Sequence, residues 1–205
     1  LPTMSYLSPM KAKTGSKKEV QAQQTRKTIL GAATQLFARQ GYHKTTITDI
    51  CQSIGLTSGA IFHHFSSKEA VLDAVIERLE RGIRIYSDYL DGVEKGSLKV
   101  VTEMVRIMCS HFNRQPEATI CLAALATEFA GSNHPVEQRL KDIYTGFVDA
   151  LSRVLRDNPR ITNPRMTAMA FVGLVQGIAV QGLLREGEQT IDELAQAFIE
   201  MLAEW

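Results

Sequence analysis

Cysteine is scarce in this chain. Cys51, Cys109 and Cys121 are the three in 205 residues, with no CxxC and no metal-ligand spacing. An odd count scattered this way argues against a disulfide framework and fits a reducing, cytoplasmic setting. Histidine is thin as well. His43, His63, His64, His111 and His134 pair with no carboxylate or cysteine at a catalytic or metal spacing, so no catalytic residue, metal ligand or cofactor is assigned. His63 and His64 cannot form a two-histidine metal face, because neighbours on a helix diverge. There is no convincing strand and no glycine-rich phosphate loop. No apolar run approaches membrane-spanning length once Gly and Gln are counted; the longest, 171–184, is broken by Gln176 and Gln181, so no membrane partner is expected. Leu1 to Met10 lacks the basic start and long apolar core of a signal peptide, and Met4 or Met10 is the expected natural start.

What is present is concentrated in 45–72, TTITDICQSIGLTSGAIFHHFSSKEAVL. Ile47, Ile50, Cys51 and Ile54 fall at i, i+3, i+4 and i+7, one face of a helix. Thr46 before them and Asp49 three residues on make a variant capping box. Gly55 stands where a helix end wants a left-handed residue, and Thr57 caps the next helix, expected over 58–65. Ile61 and Phe65 face inward there. Ser58, Gly59, Ala60, Phe62 and His63 are left outside, with His64 at the edge. Gly59 and Ala60 let backbone approach a groove or a phosphate closely. Ser66-Ser67-Lys68-Glu69 then opens a long helix. Lys68 lies in that first turn, where the helix dipole disfavours a cation; it is either a phosphate contact or an ordinary solvated lysine. This build is a helix-turn-helix, whose second helix enters a DNA major groove.

These residues resemble the TetR family of bacterial transcription regulators. The likeness runs from the helix Thr25–Gln40 through Gly41-Tyr42, Thr45-Thr46-Ile47, Asp49-Ile50, Gly55-Leu56-Thr57, the run from Gly59 to Phe65, and Lys68-Glu69. The resemblance implies an all-α fold of about nine helices: an N-terminal helix-turn-helix domain, then a helical domain for ligand binding and dimerisation. By position, Thr46 and Lys68 would hold phosphates. Thr48, Ser58, Gly59, Ala60 and His63 would lie along base edges, with Thr57 at the start of that helix and His64 near the backbone. The family usually has tyrosine where this chain has Phe62, so a phosphate-directed hydroxyl is lost or replaced by apolar packing. The recognition helix has no arginine or asparagine, which shifts weight onto phosphates and DNA shape.

Charge is divided along the chain. Residues 1–75 hold nine Lys or Arg against four Asp or Glu, a net of +5; residues 76–205 hold fourteen against eighteen, a net of −4. A basic head on a mildly acidic body suits DNA contact at one end. Residues 1–20 read as a flexible basic arm, 21–67 as the DNA-binding domain, and 68–205 as the effector-binding and dimerisation domain. Helices are expected near 68–91, 97–114, 117–131, 135–156, 164–185 and 190–204, separated by Gly, Pro and Asn.

Two of these helices suit a homodimer. The run Phe171 to Leu184 in the 164–185 helix is nearly all apolar, with Gly173 and Gly177 four apart, and Val180 and Leu184 are assigned with them to the interface; Phe198 and Met201 lie on the stripe of the last helix. The alternative is intramolecular core. A ligand cavity is expected among Tyr86, Met104, Met108, Phe112, Cys121, Leu125, Phe129, Tyr144, Phe147 and Met169, which otherwise are core residues. The sequence thus predicts a regulator, most simply a repressor released from a double-stranded, near-palindromic DNA operator by a small apolar or aromatic effector. The alternatives are redox or electrophile sensing through Cys121 and control by a protein partner.

Overall fold

The computed structural model describes residues 16–185 and 187–203. Among the described residues there are nine helices and no strand. α1 (Lys17–Gln40) opens on a capping box, in which the Ser16 amide donates to Glu19 at 2.7 Å and the Glu19 amide to the Ser16 hydroxyl at 3.3 Å. The flexible-arm reading is therefore corrected at its end: residues 17–20 are helical, held by that box. Residues 1–15 of the arm lie outside the described residues.

α2 (Ile47–Ile54) starts on the Thr46–Asp49 box, with the Thr46 amide 2.8 Å from the Asp49 carboxylate. Gly55 ends it at φ +67, the left-handed conformation. α3 (Ser58–Phe62) is three residues shorter than expected, because the chain tightens after it: the His64 and Phe65 amides both donate to the Ile61 carbonyl, at 2.8 and 2.9 Å. The remaining helices are α4 (Lys68–Asp91), α5 (Lys99–Arg114), α6 (Pro116–Phe129), α7 (Pro135–Leu155), α8 (Pro164–Leu184) and α9 (Ile191–Ala203). Three of them open on proline, whose fixed φ suits a first helical turn.

Two apolar clusters hold the bundle. The first joins Ile29 and Phe37 of α1 to Ile50, Ile61 and Val75, then takes in Cys121, Leu125 and Phe129 of α6 and Leu140 of α7. The second contains Tyr86, Met104, Leu151, Phe171 and Ile199. The helix-turn-helix head is thus not self-contained. α6 closes its base, so a boundary at 67/68 divides the sequence but not the core. Full burial of a side chain such as Phe37 or Phe129 contributes ~1.5–3 kcal/mol.

α8 corrects a second expectation. Its 21 residues contain an 18-residue window of mean hydropathy 1.6, long and apolar enough to cross a membrane, because Gly and Gln lower its hydropathy too little. It packs against α7, α6 and α9, and Gln176 on it donates to the Tyr144 hydroxyl at 2.7 Å. Only 17% of that window is buried.

Candidate nucleic-acid interface and ligand cavity

Ile61 and Phe65 are buried beneath α3, which turns the other side of the turn-helix unit outward. Thr48, Ser58, Gly59, Phe62 and His63 are exposed, and Ala60 and His64 are half-buried. Thr57 caps α3, accepting from the Ala60 amide at 3.3 Å. A Cβ on Gly59 would meet nothing closer than the Thr57 hydroxyl at 3.9 Å. Packing inside the chain therefore does not require glycine there, although glycine within a helix costs ~0.5–1 kcal/mol relative to alanine. Phe62 is 52% exposed.

The two residues assigned to phosphates have partners within the chain. The Thr46 hydroxyl donates to the Asp49 carboxylate at 2.8 Å and accepts from its amide at 3.1 Å. Lys68 Nζ donates to the carbonyls of Tyr42 and Thr45, both at 3.1 Å, and lies 4.2 Å from the centre of the Tyr42 ring. Those carbonyls answer why a lysine tolerates a helix first turn. A phosphate is not needed to explain it, and one of its three donors is left over.

The loop before α2 is gripped from the other side by Glu128, near the end of α6. Its two oxygens accept the amides of Tyr42 at 2.8 Å and His43 at 2.7 Å. Gly41, at φ +83, makes room: a Cβ there would sit 3.1 Å from a Glu128 oxygen. The Tyr42 hydroxyl donates to Glu69 at 3.3 Å, and burial, with the charges of Glu69, Asp73 and Glu128, pushes its pKa up to about 12. Arg26 of α1 completes the head, donating to the His64 carbonyl at 3.2 Å with its guanidinium 4.2 Å from the Phe65 ring centre. Neither Glu128 nor Arg26 carries a local sequence signal, since each acts on residues far away in the chain.

A cavity of about 340 Å³ lies in the body between α4, α5, α6, α7 and α8. This is at the small end for organic ligands. Tyr86, Met108, Tyr144 and Phe147, four of the ten residues expected, lie on its wall. The others do not. Met104 is wholly buried in the second cluster. Cys121, Leu125 and Phe129 belong to the core under the head. Phe112 borders a separate cleft of about 10 Å³, and Met169 is exposed. In each case helical periodicity identified an apolar face without saying which helix covers it.

The cavity also has polar walls that the sequence reading missed, among them Arg78, His111, Arg114 and Gln176. The Tyr86 hydroxyl lies 2.6 Å from His111 Nδ1. Burial pushes Tyr86 and Tyr144 up to about 12 each, so both keep their protons. Cys121 has no exposed surface. Burial, with the Glu128 charge, pushes its thiol up to about 12, against the thiolate that sensing chemistry needs.

Gly173, Gly177, Val180, Leu184 and Met201 all lie on exposed surface of α8 and α9. Among the described residues, no atom beyond the helix's own backbone comes within 4 Å of a Cβ placed on either glycine. Phe198 instead packs against the second cluster. Gly182 serves the fold of a single chain, since a side chain there would run into Ile191 of α9.

Residues 29–75 match the model of the family described as bacterial regulatory proteins, tetR family. The HTH-type transcriptional regulator UidR of Escherichia coli K12 is 36% identical over 171 residues, 78% of this chain and 82% of that protein. The fold is similar to that of the MbdR regulator from Azoarcus sp. CIB, with TM-score 0.74, 23% identity, and coverage of 84% of this chain and 94% of that one. It is also similar to a transcriptional regulator from Saccharomonospora viridis in complex with choline, with TM-score 0.65, 20% identity, and coverage of 88% and 96%.

Proposed function

The chain belongs to the TetR family of bacterial transcriptional regulators, and from that premise we propose that it acts as a homodimeric repressor released from its operator by a small molecule. Two copies pair through α8 and α9, because α8 leaves Val180, Leu183 and Leu184 uncovered. Each head places Ser58 to His64 in a major groove, and two grooves about one turn apart (~34–36 Å) call for a near-palindromic site. Gly59 brings backbone close to DNA, which accounts for a glycine the chain itself does not need. Lys68 positions the Tyr42–Thr45 loop and directs its remaining donor at a phosphate; Thr46 and His64 lie beside it. The protein works in the cytoplasm, where the operator is.

One observation carries the regulatory part. The helix that walls the cavity at Arg78 to Tyr86 is the helix that begins in the head at Lys68. At ~1.5 Å per residue the two ends lie ~15–27 Å apart on one rigid rod. α6 makes a second link, lining the cavity at Thr119 and Leu122 and gripping the head loop through Glu128. A ligand that fills the cavity shifts both helices, changes the separation of the heads and unfits the pair for its two half-sites. The redox alternative gains nothing from the buried Cys121.

The test is selection from a randomised pool of short duplexes, followed by titration of compounds on the selected site. A palindromic site, and a compound that weakens operator binding while the dimer stays intact, support the reading. No enriched sequence, or release by dissociation of the dimer, contradicts it.

A further inference from the structure

The cavity's charge is one-sided. Arg78 and Arg114 line it, and among the described residues neither an aspartate nor a glutamate does. The half-buried Arg78 makes no ion pair or hydrogen bond among the described residues, whereas Arg81 and Arg84 on the same helix pair with Glu77 and Glu80. Arg114 donates to the Ser110 carbonyl at 3.1 Å and the Ser110 hydroxyl at 3.2 Å, both uncharged acceptors on its own helix.

The two arginines also share one end of the cavity. Tyr89 meets Glu103 and Tyr86 meets His111, so α4 and α5 run antiparallel. Arg78 precedes Tyr86 on α4 and Arg114 follows His111 on α5, which places both toward the head. Of the remaining polar groups, Tyr86 pairs with His111 and Gln176 with Tyr144, and Gln115 and Thr119 carry no charge. Two guanidiniums on a mostly apolar cavity, with no carboxylate among its described lining residues to match them, fit a carboxylate or sulfonate brought by the ligand.

We propose that the effector is an amphiphilic anion, with an apolar or aromatic body in the cavity and one anionic group held by Arg78 and Arg114. This rests on the reading of the cavity as the effector site. It narrows the small apolar or aromatic effector expected from sequence to one carrying a negative charge, and it excludes quaternary ammonium compounds.

A matched pair of fluorescent probes tests it on the full chain without DNA: 8-anilinonaphthalene-1-sulfonate and its uncharged parent, N-phenyl-1-naphthylamine. The sulfonate is expected to bind about tenfold more tightly than the neutral probe, a difference of one charge-assisted contact. Arg78→Gln and Arg114→Gln each weaken the sulfonate several-fold and leave the neutral probe unchanged, which also reports that the fold is intact. Arg81→Gln, outside the cavity, alters neither. Equal affinity for the two probes, equal loss of both in the cavity variants, or no binding of the sulfonate overturns the proposal.

Operator binding read in parallel separates this inference from the reading beneath it. If the sulfonate binds through the arginines and leaves DNA binding intact, the ligand class stands and the release mechanism falls. If compounds release DNA without regard to either arginine, the release mechanism stands and the ligand class falls.

Discussion

α6 and α8 are both strongly apolar, yet they end in different surroundings. α6 sits between α1, α5, α7 and α8, and Cys121, Leu122, Leu125 and Phe129 on it are buried. α8 buries only Ala168, Phe171 and Ala179, leaving Met166, Met169, Val180, Leu183 and Leu184 largely exposed. Hydrophobicity alone does not separate the two. What separates them is whether the chain supplies the cover. α6 finds it in the head, whose core it completes. α8 does not find it among the described residues, and the dimer proposed above would supply it from a second copy.

Truncation should expose the contrast most strongly. Phe129→Ala removes a side chain that is 1% exposed and packs near Tyr42, His43 and His134. It should cost ~3–5 kcal/mol of stability, read by urea denaturation. Leu184→Ala, at a residue 72% exposed, should cost the isolated protomer ~0.5 kcal/mol or less. Equal losses measured at protein concentrations below dimerisation would erase the distinction.

Charge placed on α8 should act on assembly instead. Val180→Asp with Leu184→Asp is expected to leave helix content unchanged, to yield monomers in sedimentation, and to weaken operator binding at least ~100-fold by costing the second head. Dimers of normal operator affinity in this variant would place the interface elsewhere.

The far end of α6 gives a smaller effect. Glu128→Gln keeps the size of the side chain but removes the charge that accepts two backbone amides, so ~1–3 kcal/mol of head–body coupling is at stake. Operator binding should weaken several-fold, and the response to any effector should shrink with it. A variant that loses stability while keeping its full response would make Glu128 a brace and leave transmission to α4 alone.

The helices and their caps were legible in the sequence because both signals are local. Thr46, Gly55 and Thr57 each act within a few residues of themselves, and the structure puts them at the helix ends expected. The cavity was legible only in part. Tyr86, Met108, Tyr144 and Phe147 line it, but Leu125 and Phe129, on equally apolar helix faces, went to the head core. A periodic stripe reports that a face is covered, not by which element. Arg78 and Arg114 went unnoticed for the converse reason, since a charged residue on a helix reads as solvated surface until the wall opposite it is known. Glu128 acts 85 and 86 residues away, beyond any local pattern.

Phe62 repeats the case of α8 on the scale of one residue. It is an apolar side chain, 52% exposed, for which the proposed function supplies a partner outside the chain. If that partner is DNA, stability and affinity should separate at this position. Phe62→Tyr should leave the unfolding midpoint unchanged, because a hydroxyl there meets solvent in the free protein. On the operator that hydroxyl gains a phosphate acceptor, and one hydrogen bond to a charged group is worth at most ~1.5–3 kcal/mol. Some of that is lost if the ring now packs against sugar or a thymine methyl, so a gain of roughly two- to tenfold in operator affinity is expected, about 0.4–1.4 kcal/mol. Phe62→Ala should weaken binding by a similar factor through loss of that packing. Tightening in the tyrosine variant with no change in the alanine variant would show that the phenyl ring touches nothing on the DNA. Unchanged affinity in both would take Phe62 out of the interface and leave recognition to Ser58, Gly59, Ala60 and His63.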